Sequence, residues 1–160
     1  MAAPRKKLCK PAPARVDIAW RVRRRPLTDA RVRRAVRAAA AAGGRGAAWF
    51  SVVFVSDREL ARLHATWLDD PTNTDVITFD LGDEPGGPVG ELFVSVDRAR
   101  SVAAERNGSE ARELALYVVH GVLHLCGHDD HADGARRRMR RAERRVLAEL
   151  GYAHEGELYF

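Results

Sequence analysis

The chain has 160 residues, of which 46% are hydrophobic and 31% are charged, a composition typical of a globular domain rather than of a disordered chain. No run approaches the roughly 18 apolar residues of a membrane span, the first residues lack the apolar segment of a secretory signal, and two cysteines are too few for a disulfide framework. We therefore expect a protein of the reducing cytoplasm without membrane association. Its net charge of +5 favours polyanionic partners such as nucleic acids.

The composition divides the chain into two regions. Residues 1–14 are rich in proline and basic residues and poor in apolar residues, so we predict a flexible basic N-terminal arm. Residues 15–160 contain apolar segments with strand and helix periodicity and no internal repeat. We expect this region to form a single domain.

The predicted elements follow from apolar runs and from capping residues. Short β-branched runs predict strands, serine or threonine marks helix starts, and glycine or proline marks helix ends. In chain order, we predict a strand over 16–20, a helix from Thr28 to Gly43, a strand over 49–55, a helix that begins at Ser56 and ends before Pro71, strands over 75–81 and 90–96, and helices over 97–106, 109–127 and 134–150. These elements predict an α+β fold, with a mixed four-stranded sheet packed against five helices.

The last predicted helix has two unlike faces. One face carries apolar residues that we expect to be buried, namely Met139, Val146, Leu147 and Leu150. The other positions hold seven arginines: Arg136, Arg137, Arg138, Arg140, Arg141, Arg144 and Arg145. A solvated surface is the default interpretation of such a face, and contact with an RNA backbone is the functional alternative.

The strongest functional signal is a histidine cluster in the segment HGVLHLCGHDDH over 120–131. His120 and His124 are four residues apart on a predicted helix, so both rings leave the same face and can share one metal ion. Gly127 ends the helix and lets the chain fold back. The next four residues all carry possible ligands: His128, Asp129, Asp130 and His131. Two imidazoles and one further ligand leave a fourth position open, which is typical of catalytic zinc sites.

The residue after the first histidine limits the chemistry. Zinc proteases of the HExxH type place a glutamate there as general base, whereas this chain has Gly121. The motif therefore argues against a metalloprotease. Two structural histidines bonded to the backbone would also explain the spacing, but the glycine break and the donor-rich turn favour a metal site at the end of this helix.

This segment resembles the motif H-G-x-L-H-L-x-G-Y-D-H of the YbeY-type endoribonucleases, bacterial nucleases of rRNA maturation. It matches the motif at His120, Gly121, Leu123, His124, Leu125, Gly127 and Asp129. Residues 71–79 resemble the family's P-T-D-V-L-S-F segment, and residues 90–95 resemble its G-D-I-x-I-S strand. The resemblance implies a metal-dependent endoribonuclease domain over 15–160 that cleaves single-stranded RNA in small-subunit rRNA 3′-end maturation and ribosome quality control. The implied partners are rRNA and the small ribosomal subunit, and no DNA is expected.

The third metal ligand departs from the family motif. In an ungapped comparison, the family's third histidine falls on Asp130 and its tyrosine on His128. We therefore predict His120, His124 and Asp130 as metal ligands, with His131 as the alternative after a one-residue slip and His128 as a further alternative. If Asp130 binds, His131 becomes a candidate catalytic residue beside the ligands, although a surface histidine is the simpler interpretation. We expect one Zn²⁺ ion, and a carboxylate ligand makes harder ions such as Mn²⁺ more competitive.

A second departure concerns the phosphate. The family usually has an arginine before P-T-D-V, where this chain has Leu68 by ungapped count, so other cations must contact the phosphate. Three arginines are candidates: Arg58, Arg62 and Arg98. The missing arginine also supports an alternative function, a non-catalytic and metal-stabilised module that binds rRNA or the ribosome.

Two further residues near the motif have open interpretations. Cys126 is predicted to be a small core residue, because a position two residues after His124 faces away from it on a helix. Glu113 lies seven residues before His120 on the same face, so it could orient a histidine or compensate the helix dipole.

Overall fold

The computed structural model describes residues 12–69, 74–83 and 85–152. Most of the predicted N-terminal arm, residues 71–73 of the second family-like segment and the last eight residues lie outside the described residues. Within the described part, no helix has both the length and the apolar character needed to cross a membrane.

Within the described ranges, four strands form one mixed sheet. The strands are β1 (Arg15–Trp20), β2 (Trp49–Val55), β3 (Val76–Asp80) and β4 (Gly90–Ser95). Their order is β1-β2-β4-β3, with β1, β2 and β4 parallel and β3 antiparallel at the edge beside β4. The mixed four-stranded sheet predicted from the sequence is confirmed.

In the same part of the chain, five helices pack around this sheet, as predicted. They are α1 (Asp29–Ala42), α2 (Asp57–Leu68), α3 (Val96–Glu105), α4 (Glu110–Leu125) and α5 (Asp133–Glu149). The predicted caps are formed, since the side chains of Thr28, Ser56 and Ser109 each accept a hydrogen bond from the backbone N–H three residues later. Most element bounds differ from the sequence prediction by only one or two residues.

The two faces of the sheet are covered unequally. The larger core cluster joins the sheet to α1, α3, α4 and α5. The smaller cluster, around Val53, Val55, Leu60, Ile77 and Phe93, joins the other face to α2. The apolar run of β2 therefore contacts both clusters, as expected for a central strand buried on both faces.

The α4 helix lies at the centre of the larger core cluster. Twelve of its 16 residues are buried, and it packs against α1, α3 and α5 as well as the sheet. Its first residues and its last turns reach the surface, and in the last turns His120 and His124 are partly exposed. The fold therefore fixes both histidines on a rigid support at the edge where β3 and the end of α2 meet.

Candidate metal centre

His120 and His124 lie on successive turns of α4, and their rings meet above the same helix face. The ring centroids are 4.5 Å apart with an interplanar angle of 83°. The two Nε2 atoms are separated by 3.0 Å. The four-residue spacing in the sequence thus brings two imidazole nitrogens to one point in space.

The turn after α4 adds a carboxylate. Gly127 has a φ of +97°, in the left-handed region that favours glycine, and the His128 N–H donates to the carbonyl of Leu123 at 3.0 Å. The chain then reverses, so that Asp130 Oδ2 lies 3.7 Å from His120 Nε2 and Asp130 Oδ1 lies 3.7 Å from His124 Nε2. The structure therefore brings His120, His124 and Asp130 together.

The outer nitrogens of both rings have partners that define their protonation. His120 Nδ1 lies 2.5 Å from Glu143 Oε1, and His124 Nδ1 lies 2.9 Å from the backbone oxygen of His128. A carbonyl or carboxylate oxygen can only accept, so each Nδ1 carries the proton and donates. In the neutral rings both Nε2 atoms then face each other with lone pairs, an arrangement that a cation between them would stabilise.

The spacing of the three donors fits a small divalent ion. Bonds of 2.0–2.1 Å in a tetrahedral zinc site place the ligand atoms about 3.3 Å apart, and the distances here are 3.0, 3.7 and 3.7 Å. The donor set of two imidazoles and a carboxylate suits zinc and also harder ions. These three residues could therefore hold a metal ion and leave a coordination position facing the cleft.

The electrostatics of the centre also favour a cation. Burial is the largest single influence on the pKa of His120, and it lowers this pKa. The hydrogen bond and charge of Glu143, together with the charges of Asp75 and Asp130, outweigh the effect of burial, so the pKa is raised. Three carboxylates thus surround one imidazole. A bound divalent ion would balance this negative charge.

The centre opens into a cleft of about 630 Å³. The cleft lies between the ends of α2 and α4, the start of β3 and the turn after α4 that carries Asp130, which we call the metal-site turn. The residues that line it are His64, Leu68, Thr74, Asp75, Val76, Ile77, Thr78, His120, His124, Asp130 and His131. Its volume falls in the range of small-ligand sites. The candidate metal centre is therefore accessible to a substrate group of nucleotide size.

His131 lies at this cleft but is not grouped with the two helix histidines. Its ring is 87% exposed, and its Nδ1 bonds to Asp129 Oδ1 and lies 3.6 Å from Asp130 Oδ1. The hydrogen bond and charge of Asp129 raise the pKa of His131. The side chain of His128 is absent from the group of donors around His120 and His124, and only its backbone oxygen contacts this group.

Sequence reasoning missed three residues of this site. Glu143 is the partner of His120, and a signal existed, because it is a lone acidic residue on the apolar face of an arginine-rich helix. His64 and Asp75 line the cleft from α2 and from the start of β3, and no spacing rule connects them to the motif. Glu113, which was considered as a histidine partner, instead lies 3.8 Å from Arg106.

The other candidates lie outside the donor group. Cys126 is half-buried beside Gly43, and burial raises the pKa of its thiol, as expected of a small core residue. Leu68 lines the cleft and is 49% exposed. The three arginines considered as phosphate contacts, Arg58, Arg62 and Arg98, are not among the residues that line the cleft.

Comparison with known proteins identifies the family. The family described as Endoribonuclease YbeY matches residues 24–151. Relatives with this name include proteins of Myxococcus xanthus (38% identical, covering 63% of this chain and 36% of the relative), Anaeromyxobacter sp. (37%, 71% and 60%) and Phocaeicola vulgatus (36%, 71% and 81%). The chain thus spans less than two thirds of the length of the first two relatives.

A solved structure shows the same fold. The solution structure of TM1509 from Thermotoga maritima matches with a TM-score of 0.58 at 23% identity, covering 84% of this chain and 90% of that protein. The family match extends from the residues before α1 to the end of α5 and includes every residue of the candidate metal centre. The chain therefore belongs to the Endoribonuclease YbeY family.

Proposed function

We propose that this chain is a metal-dependent endoribonuclease that cleaves single-stranded RNA, with His120, His124 and Asp130 as its metal ligands. The observation that carries the proposal is the convergence of two Nε2 lone pairs and a carboxylate at the floor of an open cleft. Family membership supports RNA as the substrate. Within this proposal, the cellular role is small-subunit rRNA 3′-end maturation and ribosome quality control in the cytoplasm, with the small subunit as partner.

The residues of the chain prepare the site for a phosphodiester. When bound, a divalent ion would supply positive charge that polarises the scissile phosphate. Glu143 and the His128 carbonyl hold the two rings in one tautomer, so the Nε2 atoms stay directed at the ion position. The cleft has room for one splayed nucleotide rather than a duplex, which supports single-strand specificity. His131, at the same cleft, is the candidate for proton transfer.

The ligand set bears on the identity of the metal. We propose one Zn²⁺ ion, because two imidazoles and a carboxylate with an open position are typical of catalytic zinc sites. The carboxylate of Asp130 carries a negative charge that a third imidazole would lack, which makes Mn²⁺ a stronger competitor. Elemental analysis of the purified protein, followed by reloading with each ion, measures this preference.

The test compares cleavage with binding in matched variants. Purified protein is given a labelled single-stranded RNA and the same sequence as a duplex, and both cleavage and affinity are measured. We expect His124→Ala to lose cleavage by at least about 100-fold and to lose the bound metal, while RNA binding is retained. The control is His128→Ala, which keeps the backbone carbonyl that contacts His124 and should cleave normally.

One observation favours a second candidate function. Leu68 lines the cleft where the family pattern has an arginine, and the described residues that line the cleft include no arginine for a phosphate. A non-catalytic, metal-stabilised rRNA-binding module has no need of that arginine. Binding without cleavage by wild-type protein loaded with zinc or manganese would establish this alternative and overturn the endoribonuclease proposal, as would full cleavage by His124→Ala.

A further inference from the structure

The outward side of α5 carries five exposed arginines that the proposed mechanism does not use. This arginine face consists of Arg137, Arg138, Arg141, Arg144 and Arg145. Within residues 12–69, 74–83 and 85–152, none of the five has an ion pair or hydrogen bond with another residue. At 100° per residue they share a sector about 120° wide, and from Arg137 to Arg145 they extend about 12 Å along the helix. The face is therefore a continuous row of positive charge that no residue of the described ranges neutralises.

We propose that the arginine face is a second RNA contact, which binds the phosphate backbone of the strand outside the metal cleft. Like charges three and four residues apart destabilise a helix, and a polyanion removes that repulsion. Guanidinium groups match phosphate oxygens well. The identification of the polyanion as RNA rests on the proposed function.

The position of α5 connects this face to the cleft. The helix begins directly after the metal-site turn, and Arg136 donates to the backbone oxygens of Asp130 at 3.0 Å and His131 at 3.2 Å. Glu143 ties the middle of the same helix to His120. These contacts fix α5 relative to the cleft, and we infer that a strand leaving the cleft past the turn after α4 can reach the arginine face.

The burial of the apolar side of α5 favours RNA over an anionic membrane as the partner of the arginine face. A helix that lies on a membrane inserts an apolar face. The apolar residues of α5 are instead in the core, with Met139 1%, Val146 0% and Leu147 3% exposed. The exposed large apolar side chains of the described residues, Trp67, Leu68 and Leu81, lie outside α5. The face therefore offers charge without an insertion surface, which fits a nucleic-acid backbone.

The test uses a triple variant, Arg137→Gln with Arg141→Gln and Arg144→Gln, in the full-length metal-loaded protein. The control changes three exposed arginines on other parts of the fold, Arg23, Arg31 and Arg100, to glutamine, so both variants lose the same net charge. Affinity for single-stranded RNA of about 4 and about 16 nucleotides is measured by fluorescence anisotropy over a range of salt concentrations.

We expect the triple variant to lose about 10-fold or more in affinity for the long RNA and clearly less for the short RNA. Its slope of log affinity against log salt should fall by about 2, since each lost phosphate contact removes about 0.7 for a single strand. The control should keep most of the affinity and slope. Thermal unfolding and metal content of both variants establish that the fold is intact.

Equal losses in the triple variant and the control, or equal losses for both RNA lengths, would overturn the inference. So would loss of binding to phosphatidylserine vesicles with RNA binding unchanged, because the occupant would then be a membrane. These outcomes are distinct from failure of the proposed function, which shows as RNA binding without cleavage in the wild-type protein.

Discussion

At His120, both ring nitrogens have a defined role. Nδ1 is held by Glu143 at 2.5 Å, and Nε2 faces His124 and Asp130. Glu143 comes from α5 and is 9% exposed, so its carboxylate has little access to water and is committed to this contact. A buried carboxylate behind a ligand fixes the ring orientation and raises the basicity of the ligand nitrogen. Glu143 is therefore a positioning residue.

Substitution of Glu143 should weaken metal binding without removing a ligand. We expect Glu143→Ala to lower zinc affinity about 10–100-fold, as measured by competition with a chelating dye. Glu143→Gln keeps an acceptor oxygen and should recover part of that loss. The matched control is Glu149→Ala, an exposed position on the same helix. Equal affinities in wild type and Glu143→Ala would show that the contact does not position the ring.

The sequence could indicate the three candidate ligands because they lie close together along the chain. It could not indicate Glu143, the partner of His120. His120, His124 and Asp130 depend on helix geometry and on one glycine turn, both of which can be derived from spacing. Glu143 is 23 residues from His120, and its contact depends on how α5 packs against α4. Spacing within one helix offered Glu113 as one of two open interpretations, a histidine partner or a residue that compensates the helix dipole, and the structure places Glu113 3.8 Å from Arg106.

At the scale of the elements, the close packing of α4 against the sheet depends on Gly121. A Cβ built on Gly121 would lie 2.4 Å from Leu92 Cδ2 and 3.2 Å from both Leu92 Cγ and Thr78 Cγ2. Thr78 and Leu92 are register partners on β3 and β4. The absence of a side chain at position 121 therefore lets α4 approach the two strands closely, besides leaving no general base beside His120.

Gly121→Ala should destabilise the fold although alanine favours helices. The added methyl group overpacks a buried contact, for which we expect a loss of about 1–3 kcal/mol in the free energy of unfolding, measured by urea denaturation. The control is Gly134→Ala on α5, where the nearest side-chain atoms would be at 3.6 Å and 3.9 Å. That variant should be as stable as wild type or more stable. A neutral Gly121→Ala would show that α4 can move away from the sheet freely.

Local signals predicted the elements better than their arrangement. Capping residues such as Ser56 and Ser109 marked helix starts that the structure confirms within a residue. The strand order could not be predicted, because it depends on long-range pairing between runs of similar composition. The exposure of Trp67, at 68%, also departs from the apolar periodicity of α2, although its ring meets Phe79 of β3 in an edge contact at 6.4 Å.

At the scale of the whole molecule, the candidate metal centre connects the buried helix α4 with α5 and with the open cleft. α4 supplies two donors, the following turn supplies the third, and α5 supports one ring. A ligand that binds only the folded state adds to its stability by mass action. The bound ion should therefore stabilise the whole fold rather than the turn alone.

Zinc should raise the midpoint of thermal unfolding. At a free concentration 100 times its dissociation constant, binding adds about 2.7 kcal/mol, which corresponds to about 5–10 °C for a domain of this size. Differential scanning fluorimetry with zinc and then with a chelator measures the shift. His124→Ala should show almost no shift. A full shift in that variant would mean that zinc stabilises the protein from another site.

The three donors span only eleven consecutive residues, from 120 to 130. Closing so short a loop costs little chain entropy, so a cation can be captured as soon as the last turns of α4 have formed. An ion bound at that stage would be enclosed when the sheet and α5 assemble around the turn. Loading during synthesis, rather than exchange into the finished protein, would in that case decide which ion the cell's protein contains.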